Sequence, residues 1–208
     1  MNLDSLSFDL LQPRPILVVI SGTSGVGKDA VIKCLKSRNL ALHFVITATS
    51  RPPRADEVHG RDYFFYPPAE FEERIKNGEF IEHAMVYDEH KGIPRSQVEE
   101  ALKSGKDVVA KVDIQGAATL RRLYPQAVVI FLVPRTVEEW LNRLKRRNTE
   151  TEEKLKTRIE TAKFEVSQIE IFDYIVVNAE GEIDKAADDI IDIINAEHHR
   201  VEHRRPLE

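Results

Sequence analysis

Near its start, the chain carries the glycine-rich segment GTSGVGKD at 22–29, directly after the apolar run PILVVIS at 15–21. The run has the composition of a buried parallel strand, and the residues after the segment predict a helix over about 28–38. Gly22, Gly27 and Lys28 fill the pattern G-x-x-x-x-G-K-S/T, in which consecutive backbone N–H groups and a helix N-terminus bind one anion. The segment therefore predicts an α/β fold that binds a phosphorylated ligand.

The loop predicts the contacts to a nucleoside triphosphate, with Lys28 at the β- and γ-phosphates. One residue departs from the pattern, because Asp29 stands where a hydroxyl that helps to hold Mg²⁺ is expected. A carboxylate is a hard oxygen ligand, so we expect Asp29 to hold that ion. The alternative is an acidic residue stabilised by the helix dipole in the first turn. The residues predicted to bind the nucleotide here are Gly22, Thr23, Ser24, Gly25, Val26, Gly27, Lys28 and Asp29.

Further apolar runs alternate with helical patterns along the chain. Alternation of this kind predicts a three-layer α/β/α fold around a parallel sheet of about five strands. The other predicted strands cover 107–113, 127–133 and 173–178, and the other predicted helices cover 115–123, 137–147, 152–171 and 183–196.

The segment 47–94 breaks this alternation and predicts an inserted lobe with a small mixed sheet, between core segments 15–46 and 95–208. A polar stretch within 147–160 reads as a loop that enters a helix, which predicts a hinged lid. Residues 1–14 and 198–208 are expected to form an N-terminal tail and a frayed C-terminal tail.

The composition of the chain limits which ligands it can bind and where in the cell it is expected. The formal charge of −5 over 208 residues argues against a general nucleic-acid binder. No apolar run approaches the roughly 20 residues that cross a bilayer, and the N-terminal residues lack the order of a signal peptide. We expect a cytoplasmic protein without membrane or nucleic-acid partners, as a monomer or homodimer.

Charged side chains in the inserted segment point to a second phosphate. Arg51 and Arg54 lie three residues apart, and two guanidinium groups at this spacing can grip a doubly charged phosphate, with a further donor from Tyr63. Glu82 stands within the apolar stretch GEFIEHA, where a carboxylate is costly unless it is given a partner.

Taken together, four motifs resemble those of the guanylate kinases, over about residues 15–197. They are the pattern S-R-x-P-R-x-x-E-V-x-G-x-D-Y-x-F at 50–65, G-E-F-I-E at 78–82, D-I-Q-G at 113–116 and R-L-x-x-R-x-T-E-T-E-E at 143–153. The resemblance implies a P-loop core with a GMP-binding lobe and a helical lid. It also implies transfer of the γ-phosphoryl group of ATP to GMP, with Mg²⁺.

The resemblance also implies individual roles on the acceptor side. It implies that Arg51, Arg54 and Tyr63 hold the GMP phosphate. Glu82 would accept hydrogen bonds from guanine N1–H and N2–H₂, and Thr47 would meet guanine O6. Adenine has no N1–H, so an adenine acceptor would leave Glu82 unpaired, and losing bonds to a charged group gives large discrimination.

The resemblance places Asp113 between the two substrates, near the acceptor and close to the metal without binding it directly. Arg147 and Arg158 match lid arginines that close on the ATP phosphates, and Asn178 falls near the adenine. The implied catalytic set is Lys28, Arg51, Asp113, Arg147 and Arg158.

Four residues depart from the usual guanylate kinase pattern: Asp29, Lys91, Ile93 and Lys111. Lys91 replaces a phosphate-binding tyrosine and can act as a point charge. Ile93 replaces a hydroxyl residue and cannot donate to guanine. Lys111 replaces an acidic residue, and we expect it to pair with Asp113 and to offset the charge of Asp29.

Two other functions fit parts of the chain. Ribose 1,5-bisphosphate phosphokinases resemble it in the GKD loop ending and the GIP turn, but generally lack the arginine–tyrosine lobe. Non-catalytic guanylate kinase-like scaffolds generally lose the lysine-containing loop, which is intact here.

Overall fold

The computed structural model describes residues 13–86, 88–146 and 152–204. Within these residues the chain forms nine strands and seven α-helices. The strands are β1 (Leu17–Gly22), β2 (Leu42–Phe44), β3 (Ala48–Thr49), β4 (Phe64–Phe65), β5 (Phe80–Val86), β6 (Glu89–Pro94), β7 (Asp107–Lys111), β8 (Val128–Val133) and β9 (Tyr174–Val177). The helices are α1 (Lys28–Ser37), α2 (Pro68–Lys76), α3 (Arg95–Lys103), α4 (Ile114–Leu123), α5 (Val137–Lys145), α6 (Glu152–Ser167) and α7 (Ile183–Glu197).

Five strands form a parallel sheet in the order β2-β7-β1-β8-β9. Successive side chains of β1 point to opposite faces, so Val18 and Ile20 pack with α1 and α7, whereas Leu17 and Val19 pack with α3 and α4. Helices therefore cover both faces, as parallel sheets require. The predicted three-layer α/β/α fold with about five parallel strands is confirmed.

A second sheet has the order β4-β3-β6-β5 and mixes a parallel pair, β3 with β4, with antiparallel pairs. Its strands and α2 lie between Ala48 and Pro94, within the segment predicted to form the inserted lobe. A separate small core, centred on Phe71 stacked against Phe80, holds this sheet to α2.

Several predicted boundaries differ from the structure. The strand predicted to reach residue 113 ends at Lys111, because Asp113 caps α4 by accepting a hydrogen bond from the N–H of Gly116. The helix predicted over 152–171 ends at Ser167, whose hydroxyl donates to the carbonyl of Phe164, and a 3-10 turn follows at Ile169–Ile171.

Residues 198–204 form a packed segment, so the predicted frayed tail is wrong for this part of the chain. A 3-10 turn spans Val201–His203, and the carbonyl of His203 accepts from the N–H of Arg14 at 3.1 Å. Glu197, only 1% exposed, accepts from Tyr174 and contacts His203 at 3.0 Å. Polar side chains that satisfy each other here replace the apolar face that the sequence lacks.

Among the described residues, no helix is long and apolar enough to cross a bilayer.

Candidate active site

The glycine-rich segment forms the loop between β1 and α1. Gly25 and Gly27 have φ angles of +84° and +99°, which favour glycine, and a Cβ on Gly25 would lie 2.5 Å from Leu144 Cδ2. The side chain of Lys28 folds back over the loop and donates to the carbonyls of Gly22 (2.5 Å) and Thr23 (3.3 Å). Burial lowers the pKa of Lys28 to about 8, against the opposing charge of Glu165. The ammonium of Lys28 therefore lies against the loop that is predicted to bind the phosphates.

Helix α5 and the end of β9 brace the outer side of this loop. The indole of Trp140 donates to the carbonyl of Ser24 at 2.8 Å. The carbonyl of Val26 accepts from both Arg143 Nη1 (3.0 Å) and Asn178 Nδ2 (2.7 Å). Asn178, predicted near the adenine, is buried and holds the loop through its amide; its contact with adenine stays a prediction.

Helix α6 contributes two charged side chains to the same loop. Arg158 donates to the hydroxyl of Ser24 at 2.9 Å, and Glu165 accepts from the N–H of Ser24 at 3.3 Å. Glu165 is only 7% exposed, and burial raises its pKa although Lys28 opposes the change. Sequence reasoning missed Glu165, because one glutamate in a charged helix has no distinguishing pattern.

Part of the predicted lid, residues 147–151, lies outside the described residues. This part includes Arg147, the other predicted lid arginine.

Asp29 forms a three-residue cluster with Lys111 and Tyr63. Its Oδ1 accepts from Lys111 Nζ and from the hydroxyl of Tyr63 (3.1 Å), and that hydroxyl accepts from Lys111 Nζ at 2.6 Å. Burial favours the neutral acid, but the charge and hydrogen bond of Lys111 outweigh it and lower the pKa of Asp29 to about 2. The expected pair of Lys111 with Asp113 is wrong, since the parallel pairing of β7 with β1 brings Lys111 to the loop and Asp113 caps α4.

The predicted acceptor arginines lie on the lobe. Arg51 forms a two-point ion pair with Glu57, and its guanidinium carbon lies 5.1 Å from the ring centroid of Tyr63. Glu57 also accepts from the N–H of Arg54 at 2.9 Å, so one carboxylate joins the two arginines. Sequence reasoning missed this residue, although it lies within the S-R-x-P-R-x-x-E pattern.

Glu82, which is predicted to read the base, is half-buried on β5. Burial, with a smaller contribution from Asp113, raises the pKa of Glu82 to about 7. Burial also lowers the pKa of Lys91. Ile93 is 2% exposed and belongs to the core beneath the sheet.

A single cavity of about 400 Å³ brings these groups together. Residues of the phosphate loop and of the lobe line it, together with Asp113 just after the end of β7 and both α6 side chains. Three of the residues predicted to bind the nucleotide do not line it: Gly22, Thr23 and Asn178. The predicted residues that line it are Ser24, Gly25, Val26, Gly27, Lys28, Asp29, Thr47, Arg51, Arg54, Tyr63, Glu82, Lys91, Asp113 and Arg158.

The part of the chain that the structure describes holds no group of three or more His, Cys, Asp or Glu side chains that could bind a metal. Magnesium in nucleotide sites uses one or two carboxylates, with waters and substrate phosphates as its other ligands. Asp29 and Asp113 both line the cavity, and both hydrogen bonds to Asp29 use Oδ1. The residues present therefore fit an ion that arrives with the nucleotide.

A phosphate loop with its lysine, facing an arginine–tyrosine lobe across one cavity, defines a P-loop nucleoside monophosphate kinase. The guanylate kinase family model matches residues 14–197. The chain therefore belongs to the guanylate kinase family.

Individual members support the same assignment. The chain is 47% identical over 196 residues to guanylate kinase 2, chloroplastic/mitochondrial, of Oryza sativa subsp. japonica, covering 94% of this chain and 68% of that protein. It is 40% identical to guanylate kinase of Caldanaerobacter subterraneus subsp. tengcongensis, covering 95% of each. The crystal structure of guanylate kinase from Anaplasma phagocytophilum superimposes with a TM-score of 0.73 at 30% identity, covering 91% of this chain and 89% of that one.

Proposed function

We propose that this chain transfers the γ-phosphoryl group of ATP to GMP, and to dGMP, giving ADP and GDP or dGDP. The observation that carries the proposal is that Glu82 lines the same cavity as Lys28 and the lobe arginines. A half-buried carboxylate beside two phosphate-binding regions suits a ligand that presents N–H donors and a phosphate together. Guanine nucleotides have this combination, whereas adenine lacks the N1–H.

On the donor side, the N–H groups of the loop and the ammonium of Lys28 bind and orient the triphosphate. Arg158 lies at Ser24 of the same loop, where a cation can stabilise charge on the phosphoryl group. The implied role of Arg147 in closing the lid is part of the proposal. Asp29 would help the phosphates to hold Mg²⁺, which would neutralise part of their charge, and Asp113 would contact the ion through a bound water.

On the acceptor side, Arg51, Arg54, Tyr63 and Lys91 would hold the GMP phosphate in line with the donor. Glu82 and Thr47 would read the guanine. Ile93 supplies no donor, so selectivity for guanine depends chiefly on Glu82. The cytoplasmic location and the monomer or homodimer stay predictions on which this site does not depend.

The test is a coupled assay of ADP formation with ATP, Mg²⁺ and each of GMP, dGMP, AMP and ribose 1,5-bisphosphate. We expect turnover with GMP and dGMP and very little with AMP. Turnover only with the ribose ester would overturn the proposal in favour of a ribose bisphosphate kinase, and no turnover with any acceptor would favour a scaffold.

Lys28→Ala should abolish turnover and leave the fold intact, since it removes the cation at the β- and γ-phosphates. The matched control is Lys33→Ala, an exposed lysine on the same helix, which should retain full activity. Retained activity in Lys28→Ala would show that the loop takes no part in transfer.

A further inference from the structure

The side chain of Lys111 lies where the two phosphate-binding parts of the cavity meet. Lys111 ends β7 and pairs in parallel register with Ile20 of β1, the strand that leads into the loop. Its side chain is 15% exposed and lines the cavity. Burying an ammonium to this extent costs free energy unless it is paired with other groups. The partners of Lys111 therefore indicate what its position in the cavity is for.

The partners of Lys111 come from both parts of the cavity. Asp29, which follows Lys28 in the first turn of α1, accepts from Nζ on the donor side. On the acceptor side, the hydroxyl of Tyr63 accepts at 2.6 Å, and Nζ lies 4.1 Å from the ring centroid. The same ring lies against Arg51. The ammonium therefore bridges the residues that surround the donor phosphates and those that surround the acceptor phosphate.

A lysine ammonium has three N–H donors. Two are used by Asp29 and Tyr63 among the described residues, and the side chain borders the cavity, so the third can reach a phosphate oxygen there. Asp29 neutralises the ammonium before substrate binds and fixes its direction.

We propose that Lys111 is a further catalytic residue, which donates its third N–H to the phosphoryl group as it passes from ATP to the acceptor. Asp29 is then a positioning residue that holds the ammonium in place. The proposal rests on the proposed function. In the transfer, the bond from Pγ to the β–γ bridging oxygen breaks and leaves its electron pair on ADP, while a GMP phosphate oxygen forms the new bond to Pγ. Lys111 keeps its proton throughout.

In such a transfer, charge spreads over the equatorial oxygens of the phosphoryl group, between the two nucleotides. A cation at this position stabilises the transition state more than it stabilises either nucleotide bound alone. Lys111 should consequently affect kcat and have little effect on the binding of ATP or GMP.

The test compares Lys111→Met with Lys111→Arg and with the control Lys103→Met, an exposed lysine on α3. Loss of one donor to a transition-state oxygen lowers kcat by about 10²-fold, and we expect this for Lys111→Met. The separate Kd values of ATP and GMP should change by less than about threefold, and Lys111→Arg should keep kcat within about tenfold of the wild type.

The single tryptophan of the chain provides the binding signal, because Trp140 donates to the loop carbonyl of Ser24. Its fluorescence can follow ATP, GMP and the complex of ADP, GMP and aluminium fluoride, which mimics the phosphoryl group in transit. Lys111→Met should weaken the aluminium fluoride complex about as much as kcat falls, whereas a merely structural lysine would weaken all three complexes alike.

Asp29→Asn tests the positioning role at saturating Mg²⁺, where the proposed contact of Asp29 with that ion no longer limits the rate, because it keeps the shape of the side chain and removes the charge that orients Lys111. We expect a smaller fall in kcat than in Lys111→Met, and no further fall when both changes are combined. An additive double variant would overturn the positioning role.

Three results would overturn the role of Lys111: kcat of Lys111→Met within about threefold of the wild type, equal kcat in the Met and Arg variants, or an unaltered aluminium fluoride complex. Circular dichroism and thermal melts check the fold, and the Arg variant decides the question if the Met variant does not fold. If the wild type does not phosphorylate GMP, both the proposed function and this inference are contradicted. If the wild type phosphorylates GMP and Lys111→Met has an undiminished kcat, only the inference is contradicted.

Discussion

Arg51 and Glu57 are joined at two points, Nη1 to Oε2 at 2.6 Å and Nη2 to Oε1 at 2.7 Å. Each side chain is only 13% exposed, so this is a largely buried, geometrically matched ion pair. The hydrogen bond with Arg51 lowers the pKa of Glu57 despite the opposing effect of burial. Glu57 thus fixes the orientation of Arg51, which is predicted to bind the acceptor phosphate.

Glu57→Gln should lower the free energy of unfolding by about 1–3 kcal/mol, because Arg51 stays buried with a partner that no longer carries a charge. Urea denaturation at neutral pH measures this loss. Since a depressed carboxyl pKa stabilises the fold above its unfolded value, the difference should vanish as pH falls through the folded pKa of Glu57. GMP should raise the melting temperature of this variant more than that of the wild type, by giving Arg51 an anionic partner. Equal unfolding free energies at pH 7 would show that the ion pair of Arg51 with Glu57 does not stabilise the fold.

The affinity for GMP should fall below pH 7, because burial raises the pKa of Glu82 to about 7 and only the ionised carboxylate accepts two N–H groups from guanine. Well below this pH, the Kd of GMP should rise by about tenfold per pH unit from Glu82 alone. Glu82→Gln is the control, since it keeps the titration of the GMP phosphate and removes that of the carboxyl. The variant should also raise the KM of GMP far more than that of ATP. Equal rises in both KM values, or a GMP affinity with the same pH profile in both proteins, would refute the guanine-reading role.

The same carboxyl should also affect stability in the empty protein. Because its folded pKa exceeds the ordinary value of 4.5, the folded state binds the proton more tightly, and the free energy of unfolding falls as pH rises from 4.5 to about 7. Above pH 7 the ligand-free Glu82→Gln protein should therefore be more stable than the wild type. A less stable variant in urea at pH 8 would show that Glu82 is satisfied within the fold and not by a ligand.

Asn178→Ala should raise the KM of ATP about tenfold, because the carbonyl of Val26 loses its 2.7 Å hydrogen bond and the loop loses a brace. The KM of GMP should hardly change, since Asn178 does not line the cavity. Asn142→Ala, an exposed asparagine on α5, is the matched control. A larger effect on GMP than on ATP would mean that Asn178 acts elsewhere.

His203→Ala should lower the free energy of unfolding by about 1–3 kcal/mol without changing kcat, because it removes a partner from the buried carboxylate of Glu197. His199→Ala changes an exposed histidine in the same segment and should stay within about 0.5 kcal/mol of the wild type. Matching urea curves for wild type and His203→Ala would mean that residues 198–204 add nothing to stability.

The sequence predicted the elements that carry a strong local pattern. The strand, loop and helix from Leu17 to Ser37 follow from apolar periodicity and the phosphate-loop spacing. The three-residue strand Leu42–Phe44 and the two-residue strands of the lobe are too short to show a period, so they were missed. The 3-10 turn Val201–His203 was missed because paired polar side chains, and not an apolar face, hold it.

Within the site, residue types were predictable but their partners were not. The pairing of Asp29 with Lys111 joins positions 82 residues apart, and depends on which strand lies beside β1. Lys111 was assigned to Asp113 because the two are near in sequence, although the strand ends between them. Glu57 and Glu165 escaped notice for a similar reason, since a glutamate shows its function only when its neighbours in space are known.

Transfer of label from γ-phosphate-labelled ATP to GMP is the direct test of the proposed reaction. With Mg²⁺ present, we expect label to appear in the β-phosphate of GDP in step with ADP formation, and we expect Lys28→Ala to abolish this transfer. Label that appears only in inorganic phosphate, or that reaches ribose 1,5-bisphosphate but not GMP, would contradict it.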